Sequence, residues 1–497
     1  LTWHQAAAVG QIAQRHARKP SPDAEGSERF AEFTTRQNIQ VHWVRFEALP
    51  VIWEQLDAAG LTSLQACGDT ARNITGCPVA GIDRDQVLDA APIVRQVHHH
   101  VLQHPALSAF LPRKFKITVT GCPSDCVLAR INDLAFTPAR HNGELGFHVW
   151  LGGGLSDYAR LASDQRVFVR PHEVIAVVDA TLRLYKELGD PVHKAVNRFR
   201  ALVDALGPAR VRDELLARLP FTLPAAGEDL STWRPCDHLG VHPHAASDHV
   251  YVGLNVPVGR LAGEELVEVA RLARDYGDGE IRLTQRQNLI LTGVSPEHLS
   301  SLRCEPLLHR LRPEPDPFER AAIACTSAPF RKFGIFNVKE KGVELIEHLR
   351  AALSARAAAR LHGLCLHVSG CKASCAQIHV GHLGLRAAMG KDEDGFYEAF
   401  DVAVGGDLGR ERLARWIAHQ VPVGSAFRGI AGLLIAYAAE TPPGEAADLL
   451  PGAADDRAAR GVFRWGRPDE RIDCPVVSGS RCPRARLMLR SVIDEHL

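Results

Sequence analysis

FTTRQNIQVHWV, residues 33–44, returns as LTQRQNLILTGV at residues 283–294, an offset of 250 with Arg-Gln-Asn unchanged. Outward from this pair, GCPSDC (121–126) aligns with GCKASC (370–375), and FHVWLGGGL (147–155) with FDVAVGGDL (400–408), at offsets of 249 and 253. Three matches in one order at nearly one offset mark an internal duplication. Each half reads as an amphipathic helix, a strand carrying Arg-Gln-Asn, a cysteine region, a strand leading to C-x3-C and a Gly-rich strand end. That order predicts an α+β fold built twice. In the second half, Leu266, Val269, Ala270, Leu272 and Ala273 predict helix over 263–276, and Gly277-Asp278-Gly279 predicts a turn before the next strand.

The chain has 497 residues, enough for several cores, with 58 Lys plus Arg against 58 Asp plus Glu. Balanced charge without long like-charge runs argues against a nucleic-acid or polybasic membrane surface. The apolar stretch 429–440 is too short to span a bilayer and the first residues lack a signal pattern, so a soluble, cytoplasmic protein is expected. The chain opens at Leu1 rather than Met, and any preceding targeting segment lies outside this reading. Helical text over 173–219 gives way to a Pro-, Gly- and His-rich stretch over 220–249, read as a linker, and residues 19–27 read as a loop.

In KFKITVTG (114–121), strand alternation puts Lys114, Lys116 and Thr118 on one face and Phe115, Ile117 and Val119 on the other. The two ammonium groups then stand about 7 Å apart, a face that attracts a small anion. Lysines also blunt exposed strand edges, and spacing alone leaves both readings open. The equivalent strand of the second half, GLCLHVSG (363–370), has Gly363 and Cys365 in those places, so the basic face belongs to one half only.

Twelve cysteines cluster locally, which points to metal rather than a disulfide framework. Cys325, Cys371 and Cys375 in the second half, and Cys67 or Cys77 with Cys122 and Cys126 in the first, offer soft thiolates suited to an iron-sulfur cluster. Zinc and inert buried cysteine are the alternatives. Cys236, Cys304, Cys474 and Cys482 are assigned no role.

FTTRQNIQ, ARNITGCPVAGID, LPRKFKITVTG and INDLAFTPARHNGELGFHVWLGGGLS, with RLTQRQNLIL, ACTSAPF and SGCKASC, resemble the sirohaem-dependent nitrite and sulfite reductases over residues 30–440. The resemblance implies two ferredoxin-like half-modules plus two larger α+β sirohaem and iron-sulfur modules, with sirohaem held between the halves. On this chain they would be a half-module at 1–55, a sirohaem and anion-binding module at 56–219, the linker, a second half-module at 250–312, an iron-sulfur and sirohaem module at 313–441, and a tail of no assigned role at 442–497. It further implies that Arg36, Arg72, Lys114 and Lys116 line the anion pocket and that Arg113 serves the macrocycle carboxylates. Gly152 and Gly153 would let the backbone approach the flat cofactor. Cys325, Cys371 and Cys375 would ligate a 4Fe-4S cluster, with Cys375 bridging it to the sirohaem iron. The expected reaction is six-electron reduction of sulfite or nitrite, fed by ferredoxin or a separate flavoprotein.

One departure stands out. The family's first cysteine pair is C-x5-C, whereas Cys325-Thr-Ser-Ala-Pro-Phe-Arg331 ends in arginine, which has no lone pair for iron. A three-iron cluster, a fourth non-thiolate ligand and an absent cluster all follow as alternatives. A buried Arg331 would need a carboxylate partner, with Glu319 and Glu340 the nearest candidates. A catalytically impaired sirohaem-binding homologue and a precorrin-3B synthase-like oxygenase are the competing functions. For the first-half cysteines, remnants of the duplication are favoured over a second cluster.

Overall fold

The computed structural model describes residues 1–17, 29–193, 196–234, 236–328 and 330–440. The loop at 19–27, Cys474, Cys482 and the tail at 442–497 lie outside them. The chain divides into two compact units, Leu1–Glu314 and one beginning at Pro315.

The duplication is visible hydrogen bond by hydrogen bond. At the first Arg-Gln-Asn turn, Thr34 N donates to Asn38 O (2.9 Å) and Gln37 N to Thr34 O (3.2 Å); at the second, Thr284 N donates to Asn288 O (2.9 Å) and Gln287 N to Thr284 O (3.2 Å). Both glutamines sit at positive φ, 56° and 63°. Each then reaches across to the other copy: Gln37 Nε2 donates to Leu283 O (3.0 Å), and Gln287 Nε2 to Phe33 O (2.8 Å). The sheets are exchanged in the same way, since the strand Phe30–Phe33 pairs with Ile39–Val41 and also with Arg260–Ala262 from the second copy. An ion pair from half-buried Arg260 to fully buried Glu32, at 2.7 Å, fixes that junction.

Two helices meet along the same pseudo-twofold, Trp3–His16, capped by Thr2 and Gln5, and Gly263–Tyr276. Their backbones touch at glycines. A Cβ on Gly10 would lie 2.8 Å from Gly263 O, and one on Gly263 would lie 2.7 Å from Gly10 O. Gly10→Ala should therefore destabilise the protein by about 1–3 kcal/mol through overpacking, against a propensity gain of about 1 kcal/mol. A melting temperature equal to that of the unaltered protein would contradict this contact.

The two larger sheets repeat one another in order and direction. In the first, Thr75–Gly76, Ile117–Val119 and Leu134–His141 run parallel, then Glu144–Leu151 and Ser163–Val169 return antiparallel. In the second, Ala322–Ala324, Leu366–Ser369 and Leu383–Asp392 run parallel before Gly395–Val404 and Arg415–Pro422. Phe115, Ile117, Phe136, Phe147, Tyr185 and Phe199 are fully buried under the first sheet and give it a rigid floor.

Residues 220–249 do not form a linker. Glu228–Asp229 pairs with Leu134–His141, Gly240–Pro243 pairs with Val250–Leu254, and Arg234 O accepts from Asp125 N at 2.8 Å. The C-x3-C loop buries backbone donors that need partners, and this polar, Pro-rich stretch supplies them. The boundary falls instead between Glu314 and Pro315. Among the described residues no helix is long and apolar enough to cross a membrane.

Candidate active site

Lys114 and Lys116 lie just ahead of and beside an interior strand, Ile117–Val119, which has a neighbour on each side. The edge-blunting reading therefore fails. Phe115, Ile117 and Val119 are fully buried on one face, as alternation requires, and Lys114 and Lys116 are half-buried on the other. Thr118, on the lysine face, is also buried and donates to Thr75 O at 3.0 Å.

Cations gather around Lys116. Burial first, then Arg36, Arg198 and Lys114, push its ammonium down to about 7, with Asp133 opposing them. Arg36 is pushed down to about 10 by burial, with Arg72 and Arg198 adding to the effect and Asp133 resisting it. Arg36 is held by three bonds, from Nη1 to Asn132 Oδ1 (2.7 Å) and from Nη2 to Asn73 O (3.0 Å) and Ile117 O (3.3 Å). Fully buried Asp133 anchors the group: its carboxylate accepts from Lys116 N at 2.9 Å and from Arg198 Nη2 at 3.3 Å. Arg72 turns partly away, donating to Ala66 O (2.5 Å) and Gly68 O (2.8 Å). One carboxylate among this many cations leaves a surplus of positive charge, which suits an anion.

Arg113 stands elsewhere, paired with Asp69 at 2.8 Å on the surface. Gly152 and Gly153 have their own structural reason. Gly152 sits at φ 82°, with Val203 Cγ2 2.7 Å from its absent Cβ, while a Cβ on Gly153 would lie 2.3 Å from Arg130 O and 2.7 Å from Asn132 O. These glycines let the Gly-rich turn press on the loop that carries Asn132 and Asp133.

Sequence reasoning missed Arg198, Arg200, Asn132 and Asp133. The only signals were the INDLAF stretch and two arginines flanking Phe199 in helical text. Among the described residues, no acceptor meets the buried Nε of Arg36, Arg198 or Arg200. Unmet guanidinium donors on an interior face fit the carboxylates of a polyanionic macrocycle and a small oxyanion.

In the second unit, Cys325 follows Ala322–Ala324, and Cys371 and Cys375 follow Leu366–Ser369. Cys325 Sγ accepts from Gly370 N at 3.1 Å, and burial followed by Cys375 pushes its thiol up to about 12. Cys325 is buried, Cys371 half-buried and Cys375 exposed. The donor set fits three cluster corners. Arg331 is not buried: it is exposed on a turn, its N–H bonded to Ser327 O at 3.0 Å. It needs no carboxylate, since water solvates it; Glu319 instead pairs with Arg350, and Glu340 is exposed in the first turn of the helix Val338–Ala352.

Cys77, Cys122 and Cys126 hold the equivalent places in the first unit, after Thr75–Gly76 and Ile117–Val119, and all three are buried. Cys67 is exposed.

The chain is similar to known proteins over most of its length. The nitrite and sulphite reductase 4Fe-4S domain matches residues 67–223, and the nitrite/sulfite reductase ferredoxin-like half domain matches residues 1–59 and 242–307. The chain is 38% identical over 456 residues to the assimilatory ferredoxin-dependent nitrite reductase of Haloferax mediterranei, covering 88% of this chain and 77% of that one. It is 37% identical to the ferredoxin–nitrite reductase of Synechococcus elongatus, covering 77% and 75%. The solved structure of the Mycobacterium tuberculosis NirA protein superposes with a TM-score of 0.82 at 28% identity, covering 90% of this chain and 80% of that one.

Proposed function

The chain belongs to the nitrite and sulphite reductase family, whose cofactors are sirohaem and a 4Fe-4S cluster, and we propose that it is a nitrite reductase supplied with electrons by ferredoxin. The observation that carries this reading is the cationic surplus around Lys116, joined to relatives that are named ferredoxin-dependent nitrite reductases. Taking nitrite nitrogen from +3 to −3 requires six electrons, and eight protons complete ammonium and two waters. Sirohaem and the cluster, when bound, supply those electrons one at a time. The protein's share is electrostatic and protic. Arg36 and Lys116 hold the anion, and charge-assisted donors stabilise negative charge as the N–O bonds lengthen. Lys116, poised near neutral pH, can give up a proton to departing oxygen and regain it from solvent. Asn132 and Asp133 keep Arg36 and Arg198 aimed.

The test is a product assay on purified holoprotein with reduced ferredoxin, run in parallel with nitrite and sulfite. Ammonium formed in step with nitrite loss is expected. A protein with its full sirohaem and cluster content that leaves nitrite untouched would overturn the reading and favour the impaired homologue.

The fourth cluster corner gives a second test. Three thiolates leave one iron without a protein thiolate, and the exposed Arg331 backbone turn already stands at the spacing of the family's second cysteine. Arg331→Cys should raise iron and sulfide per chain and change the electron paramagnetic resonance signal toward a complete four-iron centre. If the unaltered protein already holds that centre and the variant matches it, another group supplies the fourth ligand.

A further inference from the structure

Among the described residues, one group of potential ligands closes to within 4.8 Å of one another: the sulfurs of Cys77, Cys122 and Cys126. The proposed reduction uses none of them. A fourth donor stands beside them, since His238 Nε2 is 3.9 Å from Cys77 Sγ and the ring is buried. On the far side of that ring, Nδ1 lies 3.5 Å from Cys236 Sγ. We propose that Cys77, Cys122, Cys126 and His238 Nε2 bind a single tetrahedral zinc ion, separate from the sirohaem and iron-sulfur centres.

Spacing favours one ion over a cluster. Donors about 2.3 Å from a central zinc stand about 3.8 Å apart, a spacing the three sulfurs approach; His238 Nε2 is 3.9 Å from Cys77 Sγ but beyond 4.8 Å from at least one of the other two, so its ring would have to close on the ion. In a cubane each thiolate holds a different iron, so the ligand sulfurs stand wider apart. The second-half trio does not close to this distance. Chemistry agrees, because three thiolates and one imidazole form a closed structural zinc set, and C-x3-C lies within its usual ligand spacing. The ring is also oriented as metal-binding histidines are, with the nitrogen opposite the ion held by a second group, here Cys236. Val79, Ile82, Val127, Tyr251 and Ile290 close an apolar shell around the sulfurs.

The ligands explain why such a site would be kept. Cys77 and the C-x3-C loop come from the sheet that carries the lysines, whereas His238 comes from the stretch leading to the second half-module. Zinc there would tie that stretch to the sheet next to the loop that presents Asn132 and Asp133.

The test is zinc and iron analysis of the holoenzyme by mass spectrometry, with X-ray absorption at the zinc edge, for the unaltered protein, Cys122→Ser/Cys126→Ser and His238→Ala. About one zinc per chain is expected, in a shell of three sulfurs near 2.3 Å and one nitrogen near 2.0 Å. The double variant should lose about tenfold or more of the zinc while keeping its iron, and its melting temperature should fall. Should the variants fail to fold, the absorption spectrum of the unaltered protein decides. Absence of zinc, zinc in an oxygen and nitrogen shell only, or extra iron and sulfide lost with the cysteines would each overturn the proposal, the last in favour of a second cluster.

Discussion

Lys116→Ala should lower kcat/KM for nitrite at neutral pH by about 100-fold or more, without lowering the melting temperature. The activity loss follows from removing a charged donor at the point where the anion gathers negative charge, a contact worth about 1.5–3 kcal/mol in binding alone. Stability is spared because burial, and after it Arg36, Arg198 and Lys114, disfavour the Lys116 ammonium more than Asp133 favours it. The linkage has a definite sign. The native ammonium titrates near 7 and the unfolded one near 10.5, so between those values the unfolded chain binds more protons and stability rises with pH. Lys116→Ala should remove that rise. Denaturant midpoints at pH 7 and pH 9 would check it, and an unchanged difference between them would contradict the placement of this charge.

Arg36→Ala should reduce turnover by about 100- to 1000-fold and, unlike the lysine change, also destabilise the protein by about 2–3 kcal/mol. Its guanidinium joins the first Arg-Gln-Asn turn to the sheet through Asn132, Asn73 and Ile117, and truncation leaves Asn132 Oδ1 short of a donor. Arg36→Lys keeps the charge but cannot span three acceptors in a plane, so it should recover little. There is a second readout. Arg36 is the largest charged contributor to the lowering of Lys116, so in Arg36→Ala the pH dependence of nitrite binding should move upward. Kinetic loss without that move would make Arg36 a structural residue alone.

Much of this was legible in the sequence because it repeats. Arg-Gln-Asn at two places predicted paired modules, and the turn hydrogen bonds around Gln37 and Gln287 match one another. Alternation in KFKITVTG sorted the lysines from Phe115, Ile117 and Val119 correctly. What sequence could not supply were partners brought in from afar. Asp133 and Arg198 meet Lys116 only through folding, and no period in the sequence announces a buried carboxylate. The stretch at 220–249 looked like a linker because Pro, Gly and His break regular elements, yet Thr232 and Arg234 within it serve the C-x3-C loop through single hydrogen bonds. Spacing placed Arg331 at a ligand position, where burial would have required a carboxylate partner. The turn at Ser327 sends it to solvent. Gly152 and Gly153 were assigned to a cofactor because strand-end glycines permit close approach, and the neighbours that demand them, Val203 and the carbonyls of Arg130 and Asn132, lie elsewhere in the chain.

The central claim is that nitrite binds where Lys116 and Arg36 face Asp133, and the direct measurement is the nitrite dissociation constant of oxidised holoprotein followed by visible absorption across pH 6 to 9. Bound nitrite favours the charged ammonium, so affinity should be constant below pH 7 and fall as the pH rises above it. Lys116→Ala, with equal sirohaem content, should bind more weakly and show no such fall. An affinity in Lys116→Ala equal to that of the unaltered protein, with the same pH profile, would contradict the account.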